Sequence, residues 1–336
     1  MKAAIWRGVN DVAVENVPDA RAEIGGILVR VKHCGICGSD LHHYRLGTCQ
    51  GTIIGHEFSG EVVEVGDGVE GIACGDRVTD VGFRPCGKCY WCRQGAPQRC
   101  ASLLTFGENF PGAMAEYVSL PDVKLNQNVF KLPAHISYAE GATIEPLAIS
   151  SFAVRRSRVQ PEHTVAVIGA GMIGLGIIRI LKANGVGRII ASARRASRQK
   201  AAGESGAHLV IDAAREDAVQ IISDATGGEG VDAVFDCGGN QTTFRQALAV
   251  TRRGGKVNMV ALHEQPFTVD PCQIISKNLT LLGIMGSHFP SAIEYISSGK
   301  VTTDPLITHR FPLDRAKEAF ETQLRDSNAI KVLVDT

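Results

Sequence analysis

A chain of 336 residues has room for two domains, each with a core of its own. Apolar residues at 44% and charged residues at 21% describe an ordinary globular composition, not a disordered or membrane-embedded one. Its 35 basic and 35 acidic residues cancel to a formal net charge of zero, so no global field draws it to nucleic acid or to an anionic membrane.

The opening segment, MKAAIWRGVNDVAVENV, lacks a positive stretch followed by an apolar one. No signal peptide is expected there, and the expected location is the cytoplasm. Over about the first 145 residues, the β-branched runs ILVRVKHCG, SGEVVEVGDGV, DRVTDV and AEYVSLP are separated by Gly, Asp and Pro. Runs of this kind predict the strands of a compact β-rich unit. The pattern changes near Ser137, where SYAEGATIEPLAISSFAVRRS reads as helical and Ser137 and Glu140 have capping-box spacing. From His163 onward strand and helix alternate. HTVAVIGAG reads as a buried strand, GMIGLGIIRILKANG as a helix stopped by Gly185, and GRIIASA as a second strand. AVFDCGG, GGKVNMVAL and LTLLGIMG continue the series, with helices between them. Val165 to Leu181 is apolar but broken by glycines and Arg179, so it is not a membrane span. Alternating β and α units predict a parallel, doubly wound sheet, and the expected fold class is α/β. The tail after Gly286 is short and mixed, and the chain has no internal repeat.

Gly169-Ala170-Gly171-Met172-Ile173-Gly174 spells G-x-G-x-x-G between a predicted strand and a predicted helix. The first glycine permits the tight turn, the second lets the backbone approach a pyrophosphate, and the third allows close helix–strand packing. The helix N-terminus then receives the negative charge. At the end of the second strand, an NAD site usually carries Asp or Glu for the ribose hydroxyls. Here that position is Ala193, followed by Arg194 and Arg195, with Arg198 one turn on, and Arg194, directly after the vacated position, is the expected main contact. Without the carboxylate a 2′-phosphate is no longer repelled, and guanidinium groups offer it forked hydrogen bonds. NADP is therefore expected in preference to NAD. The plainer reading is a solvated basic helix start.

Four of the ten cysteines, Cys86, Cys89, Cys92 and Cys100, fall within fifteen residues. In a reducing compartment such clustering points to metal or redox chemistry. Four thiolates close a tetrahedral zinc site with no open position, which makes it structural. An iron–sulfur run would place its fourth cysteine after three residues and before proline, whereas here the gap is seven and Ala101 follows. A nucleic-acid knuckle would want the basic and aromatic neighbours that Lys88, Tyr90, Trp91, Arg93 and Arg99 partly supply. A second set of ligand types is dispersed: Cys37 in GICGSD, His56 and Glu57 in GHE, and Glu145 in IEPLA. Spacing alone leaves them open, since Cys34 and Cys37 also form C-x-x-C and Glu145 could be a helix-surface charge.

At these residues the chain resembles the zinc-containing medium-chain dehydrogenases, and within them the sorbitol (polyol) dehydrogenase branch. Gly55-His56-Glu57 followed by Gly60, Gly66 and Val69 matches the family's zinc signature, and GICGSD, GDRV, the four-cysteine lobe, GAMAEYV, IEPLA and THRFPL occur in family order. The resemblance covers essentially the whole chain. It implies a GroES-like catalytic domain over residues 1–147 and 286–336, a Rossmann domain over 148–285, and a cleft between them for cofactor and catalytic zinc. It implies that Cys37 and His56 bind the catalytic zinc, that Glu145 takes the place of a further cysteine ligand, and that Glu57 is a ligand in some relatives and a supporting group in others. Ser39 and His42 match the proton-relay positions, with His43 a possible competitor. The implied reaction is hydride transfer between NADP(H) or NAD(H) and a secondary alcohol or ketone. A polyol, sugar derivative or cyclic alcohol is the expected substrate, and a homodimer or homotetramer the expected assembly. Two departures stand out: Ala193 replaces the usual Asp, and GIMGSHFP lacks the arginine with which polyol enzymes contact substrate hydroxyls. A non-polyol secondary alcohol such as threonine, or a non-catalytic NADP-sensing role, is the alternative.

Overall fold

The computed structural model describes every residue but Glu264, and the chain divides into two compact units. The first comprises Met1–Pro146 and Phe289–Thr336, the second Leu147–His288. The return to the first unit falls at Phe289, and the preceding His288 N–H donates to the Ala148 carbonyl within the second unit.

The first unit opens with the hairpin β1 (Lys2–Gly8) and β2 (Asp11–Asn16), which is not among the strands that the sequence pattern predicts. The chain continues with β3 (Ile27–Gly35), α1 (Gly38–Leu46), β4 (Glu57–Val65), β5 (Arg77–Asp80), β6 (Phe83–Arg84), α2 (Tyr90–Arg93), β7 (Leu104–Thr105), β8 (Tyr117–Leu120) and β9 (Val129–Lys131). The expected helix from Ser137 is two: α3 (Tyr138–Gly141) and α4 (Ile144–Ser157). Pro146 explains the break, since it has no N–H to continue a helix but fits the first turn of a new one. Ser137 caps α3 as its spacing predicts, accepting from the Glu140 N–H at 3.1 Å.

In the second unit the strands are β10 (Thr164–Ile168), β11 (Arg188–Ala193), β12 (Leu209–Asp212), β13 (Val231–Asp236), β14 (Thr251–Met259) and β15 (Thr280–Gly283). Between them run α5 (Met172–Ala183), α6 (Ala196–Glu204), α7 (Ala218–Ala225), α8 (Gln241–Val250) and α9 (Pro271–Ser276). The chain then re-enters the first unit with α10 (Phe289–Ser297), β16 (Ile307–Pro312), α11 (Ala316–Arg325) and β17 (Lys331–Asp335).

The second unit is a six-stranded parallel sheet in the order β12-β11-β10-β13-β14-β15. This is the doubly wound dinucleotide-binding order, with its switch point between β10 and β13. The first unit is built on a seven-stranded, largely antiparallel sheet in the order β16-β17-β3-β4-β5-β9, with β8 also on β3. Its core gathers Trp6, Tyr44, Phe58, Phe106, Met114 and Phe320. Two strand pairings place its ligand-type side chains. Antiparallel β3 and β4 set Gly35 opposite Glu57, and β17 joins β3 with Leu333 opposite Gly35. No helix among the described residues is long and apolar enough to cross a membrane.

Candidate active site

Because β3 ends at Gly35 opposite Glu57, Cys37 and His56 emerge side by side from the ends of paired strands. Gly55, just before them, lies at φ +96°, and a Cβ there would stand 2.4 Å from Cys34 Sγ, so only glycine lets the GHE turn close. Cys37 is the N-cap of α1. Its N–H donates to Asp40 Oδ2 at 2.8 Å, and the nearby Ser39 side chain weakly favours ionisation of its thiol. The ligand atoms of Cys37, His56 and Glu57 all lie within 4.8 Å of one another. Glu145, in the first turn of α4, is buried and couples electrostatically to both Cys37 and His56.

This cluster is short of positive charge. Burial, then the carboxylates of Asp40 and Glu145, push the Cys37 thiol up to about 11. Burial likewise pushes the Glu145 carboxyl up to about 7, against the pull of His56. Glu145 Oε2 and His56 Nδ1 are buried with no hydrogen-bond partner, although Asp40 Oδ1 is 3.8 Å from that nitrogen. Lys331 of β17 is the cation packed against the cluster. It is fully buried, donates to the Ile36 carbonyl at 2.8 Å and pairs with Glu57. Burial lowers its ammonium to about 8, against the pull of Cys37 and Asp40. With Glu57 paired to Lys331, the half-buried Cys37 thiol and the His56 imidazole remain, with an unpartnered oxygen on Glu145, which does not join the 4.8 Å cluster. That donor set suits zinc. Asp40 and Lys331 are absent from the site residues expected from the sequence. Asp40 sits inside GICGSD, whereas nothing in KVLVD marks Lys331.

Ser39 and His42 are both half-buried on α1. His43, the competitor, is engaged elsewhere: its ring nitrogens face Thr48 Oγ1 at 2.7 Å and Glu108 Oε1 at 3.4 Å.

The four-cysteine lobe forms around α2. The four sulfur atoms lie within 4.8 Å of one another, with Cys89 Sγ and Cys92 Sγ 3.4 Å apart. Backbone N–H groups are aimed at them. Those of Lys88 and Cys89 hold the Cys86 thiol below its ordinary value, and the Cys92 N–H brings Cys89 down to about 6. Cys86 and Cys89 are thereby biased to thiolate, the form that ligates metal, whereas burial and then its sulfur neighbours push the Cys92 thiol up to about 12. Arg99 stacks on Trp91 at 4.9 Å, occupying two of the side chains a nucleic acid would need.

In the second unit each glycine of the G-x-G-x-x-G turn has a steric reason. Gly169 is at φ +96° with Cys237 backbone 2.9 Å from a would-be Cβ, and a Cβ on Gly174 would sit 2.0 Å from the Gly169 carbonyl oxygen. Gly171 caps α5, whose first residues Met172 and Ile173 are half-buried. The Gly169 N–H donates to Ser192 O at 3.0 Å, which brings Ala193 alongside the turn. Arg194 is exposed, Arg195 caps α6, and Arg198 is half-buried with Nη1 3.9 Å from a would-be Cβ of Gly171. Burial, then Arg195 and Arg194, lower the Arg198 guanidinium. The three cations therefore form one field, and Arg198 is the one that reaches the glycine turn.

Residues 23–134 match the alcohol dehydrogenase GroES-like domain and residues 173–298 the zinc-binding dehydrogenase domain. The chain is 36% identical to (R,R)-butanediol dehydrogenase of Bacillus subtilis (strain 168) over 99% of both chains. It is 33% identical to that organism's sorbitol dehydrogenase, over 99% of this chain and 97% of the relative. Among solved structures it resembles a Sinorhizobium meliloti 1021 protein, assigned only as a zinc-binding dehydrogenase and bound to NADP, with TM-score 0.91 and 30% identity over 100% and 99% of the two chains. It also resembles an alcohol dehydrogenase of Escherichia coli CFT073 complexed with NADH, with TM-score 0.92 and 29% identity over 100% and 99%.

Proposed function

The chain belongs to the zinc-dependent alcohol dehydrogenases of the medium-chain family, acting on CH–OH donors, and we propose that it moves hydride between NADP(H) and a secondary alcohol bearing a neighbouring hydroxyl. The observation that carries this reading is the adjacent Cys37 and His56 with the buried Glu145 carboxyl, one of whose oxygens has no partner, coupled electrostatically to both. Bound zinc supplies Lewis-acid polarisation of an alcohol or carbonyl oxygen, and the nicotinamide supplies hydride chemistry.

The chain's own residues do the rest. Cys37, His56 and Glu145 hold the metal, and Glu57, neutralised by Lys331, braces the site without ligating. Asp40 fixes the Cys37 end of α1 and faces the rear nitrogen of His56, the carboxylate–histidine arrangement that orients a ligand. Ser39 Oγ takes the proton from the substrate oxygen and His42 passes it to solvent. Cys86, Cys89, Cys92 and Cys100 hold a second, structural zinc. The α5 N-terminus receives the pyrophosphate, and Arg198, backed by Arg195 and Arg194, receives the 2′-phosphate. This differs from the expectation that the exposed Arg194, next to the vacated position, would dominate.

The substrate class rests on the two named relatives, because butane-2,3-diol and sorbitol share a secondary hydroxyl beside another hydroxyl. We take the working enzyme to be a homodimer or homotetramer. In support, β15 is one of the sheet's two edges and exposes Leu281, and Ile275 and Met285, close to it in sequence, are also exposed. All ten cysteines are free, which suits a cytoplasmic location. The test is kcat/KM for butane-2,3-diol, sorbitol, L-threonine and ethanol with both cofactors. Turnover of the vicinal diols with NADP is expected, and a strong preference for ethanol would overturn the substrate class.

A further inference from the structure

Beside the C-terminal end of α1, three segments bring a thiol, an imidazole and a carboxylate into line. Gly47 closes the helix in the left-handed conformation, its N–H donating to the His43 carbonyl at 2.8 Å. The chain then turns through Thr48 and Cys49, and this turn is fastened to β1. The Gly51 N–H donates to the Trp6 carbonyl at 2.8 Å and the Trp6 N–H to the Thr52 carbonyl at 3.1 Å. The Trp6 indole donates to the Gly107 carbonyl at 2.8 Å, which fixes the loop that carries Glu108. His43 lies where these segments meet. Its Nε2 is 3.4 Å from Glu108 Oε1, and its Nδ1 is 2.7 Å from Thr48 Oγ1 and 3.5 Å from Cys49 Sγ. A neutral imidazole carries one N–H and an ionised carboxylate only accepts, so the proton belongs on Nε2 and the Nδ1 lone pair faces the hydroxyl and the thiol.

We propose that Cys49 is a nucleophilic modification site that takes small disulfides, with His43 as its general base and Glu108 as the group that orients the base. A nucleophile within reach of a base, and the base held by a third group, is the arrangement that activates a weak nucleophile. Burial, with the Glu108 and Asp40 carboxylates and against the neighbouring Thr48 side chain, raises the Cys49 thiol above its ordinary value. Resting thiolate is therefore scarce, and the imidazole has to take the proton as the sulfur attacks. In the step itself a bond forms between Cys49 Sγ and one sulfur of the disulfide while the S–S bond breaks. The proton passes to His43 Nδ1 and then to the departing thiolate, leaving a mixed disulfide and one free thiol. The adduct would displace His43 at the end of the helix that carries Ser39 and His42. Cys74 and Cys272 provide internal controls, because both are exposed and Cys74 faces the Val63 carbonyl instead of an imidazole.

The experiment incubates the zinc-loaded protein with bis(2-hydroxyethyl) disulfide and follows the adduct at each cysteine by peptide mass spectrometry. Cys49 should react roughly tenfold faster, or more, than Cys74 and Cys272 despite its lower exposure. His43→Phe, which keeps a ring against Trp6, should bring Cys49 down to their rate or below. Glu108→Gln should fall between, and it serves as the test if His43→Phe does not fold. A wild-type Cys49 no faster than Cys272, or a rate unchanged in the variants, would overturn the proposal.

Discussion

Cofactor choice offers the most discriminating prediction, because the structure favours Arg198 where the sequence favours Arg194. Arg194 is exposed, so its contribution to a phosphate contact is screened to about 0–1 kcal/mol, at most roughly fivefold in kcat/KM. Arg198 is half-buried against the glycine turn, and a charge-assisted hydrogen bond there is worth about 1.5–3 kcal/mol, or about 10- to 100-fold. Arg198→Ala should therefore cut kcat/KM for NADP by about 10- to 100-fold and leave NAD nearly untouched, with Arg194→Ala far milder. Ala193→Asp should reverse the preference. Position 193 is buried beside the turn, where a carboxylate about 4 Å from a phosphate charge would cost about 4 kcal/mol at an effective dielectric near 20. The same carboxylate can accept the ribose hydroxyls of NAD. The assay is steady-state kinetics with both cofactors at fixed alcohol, following the reduced nicotinamide. NAD preference in the wild type with a silent Arg198→Ala would reduce these arginines to a solvated helix start.

How much was legible in the sequence depends on how local each signal is. The G-x-G-x-x-G roles depend on contacts within one turn, and the would-be clashes at Gly169 and Gly174 occur where the motif requires them. The four-cysteine lobe is likewise local, since fourteen residues of separation close it. Cys37 and His56 are different. Their meeting depends on the β3–β4 register that sets Gly35 opposite Glu57, and no spacing rule yields a register; only the family resemblance joined them. Lys331 was invisible for the same reason in stronger form. A lysine in KVLVD reads as an ordinary strand charge until β17 pairs with β3 and carries it beneath Ile36 and Glu57. The broken helix at Thr143 shows a local signal overlooked: Pro146 cannot lie inside a continuous helix, and the break is what gives Glu145 its place in a first turn.

Elemental analysis should find two zincs per chain. Cys86→Ser should aggregate because metal binding there is coupled to folding, while Cys37→Ser should fold and lose turnover; one zinc, or an iron–sulfur chromophore, would rule out this assignment. Ser39→Ala should keep zinc and cofactor while kcat falls by about 10²- to 10⁴-fold, and full activity would remove Ser39 from the relay. Lys331 decides whether Glu57 is a brace, because its ammonium is paired with that carboxylate where both side chains are only 2% exposed. Lys331→Met would fill the space but leave a buried carboxylate without its cation and the Ile36 carbonyl without its donor. Breaking a buried pair in this one-sided way costs about 3–5 kcal/mol, much of it the desolvation of the stranded charge. Adding Glu57→Gln removes that charge, so the double variant should be more stable than Lys331→Met alone, a non-additivity that thermal unfolding of the four proteins would measure. If Glu57 instead belongs to the metal, the double variant would lose zinc as well as stability, and bound zinc measured beside the melting temperature distinguishes a brace from a ligand.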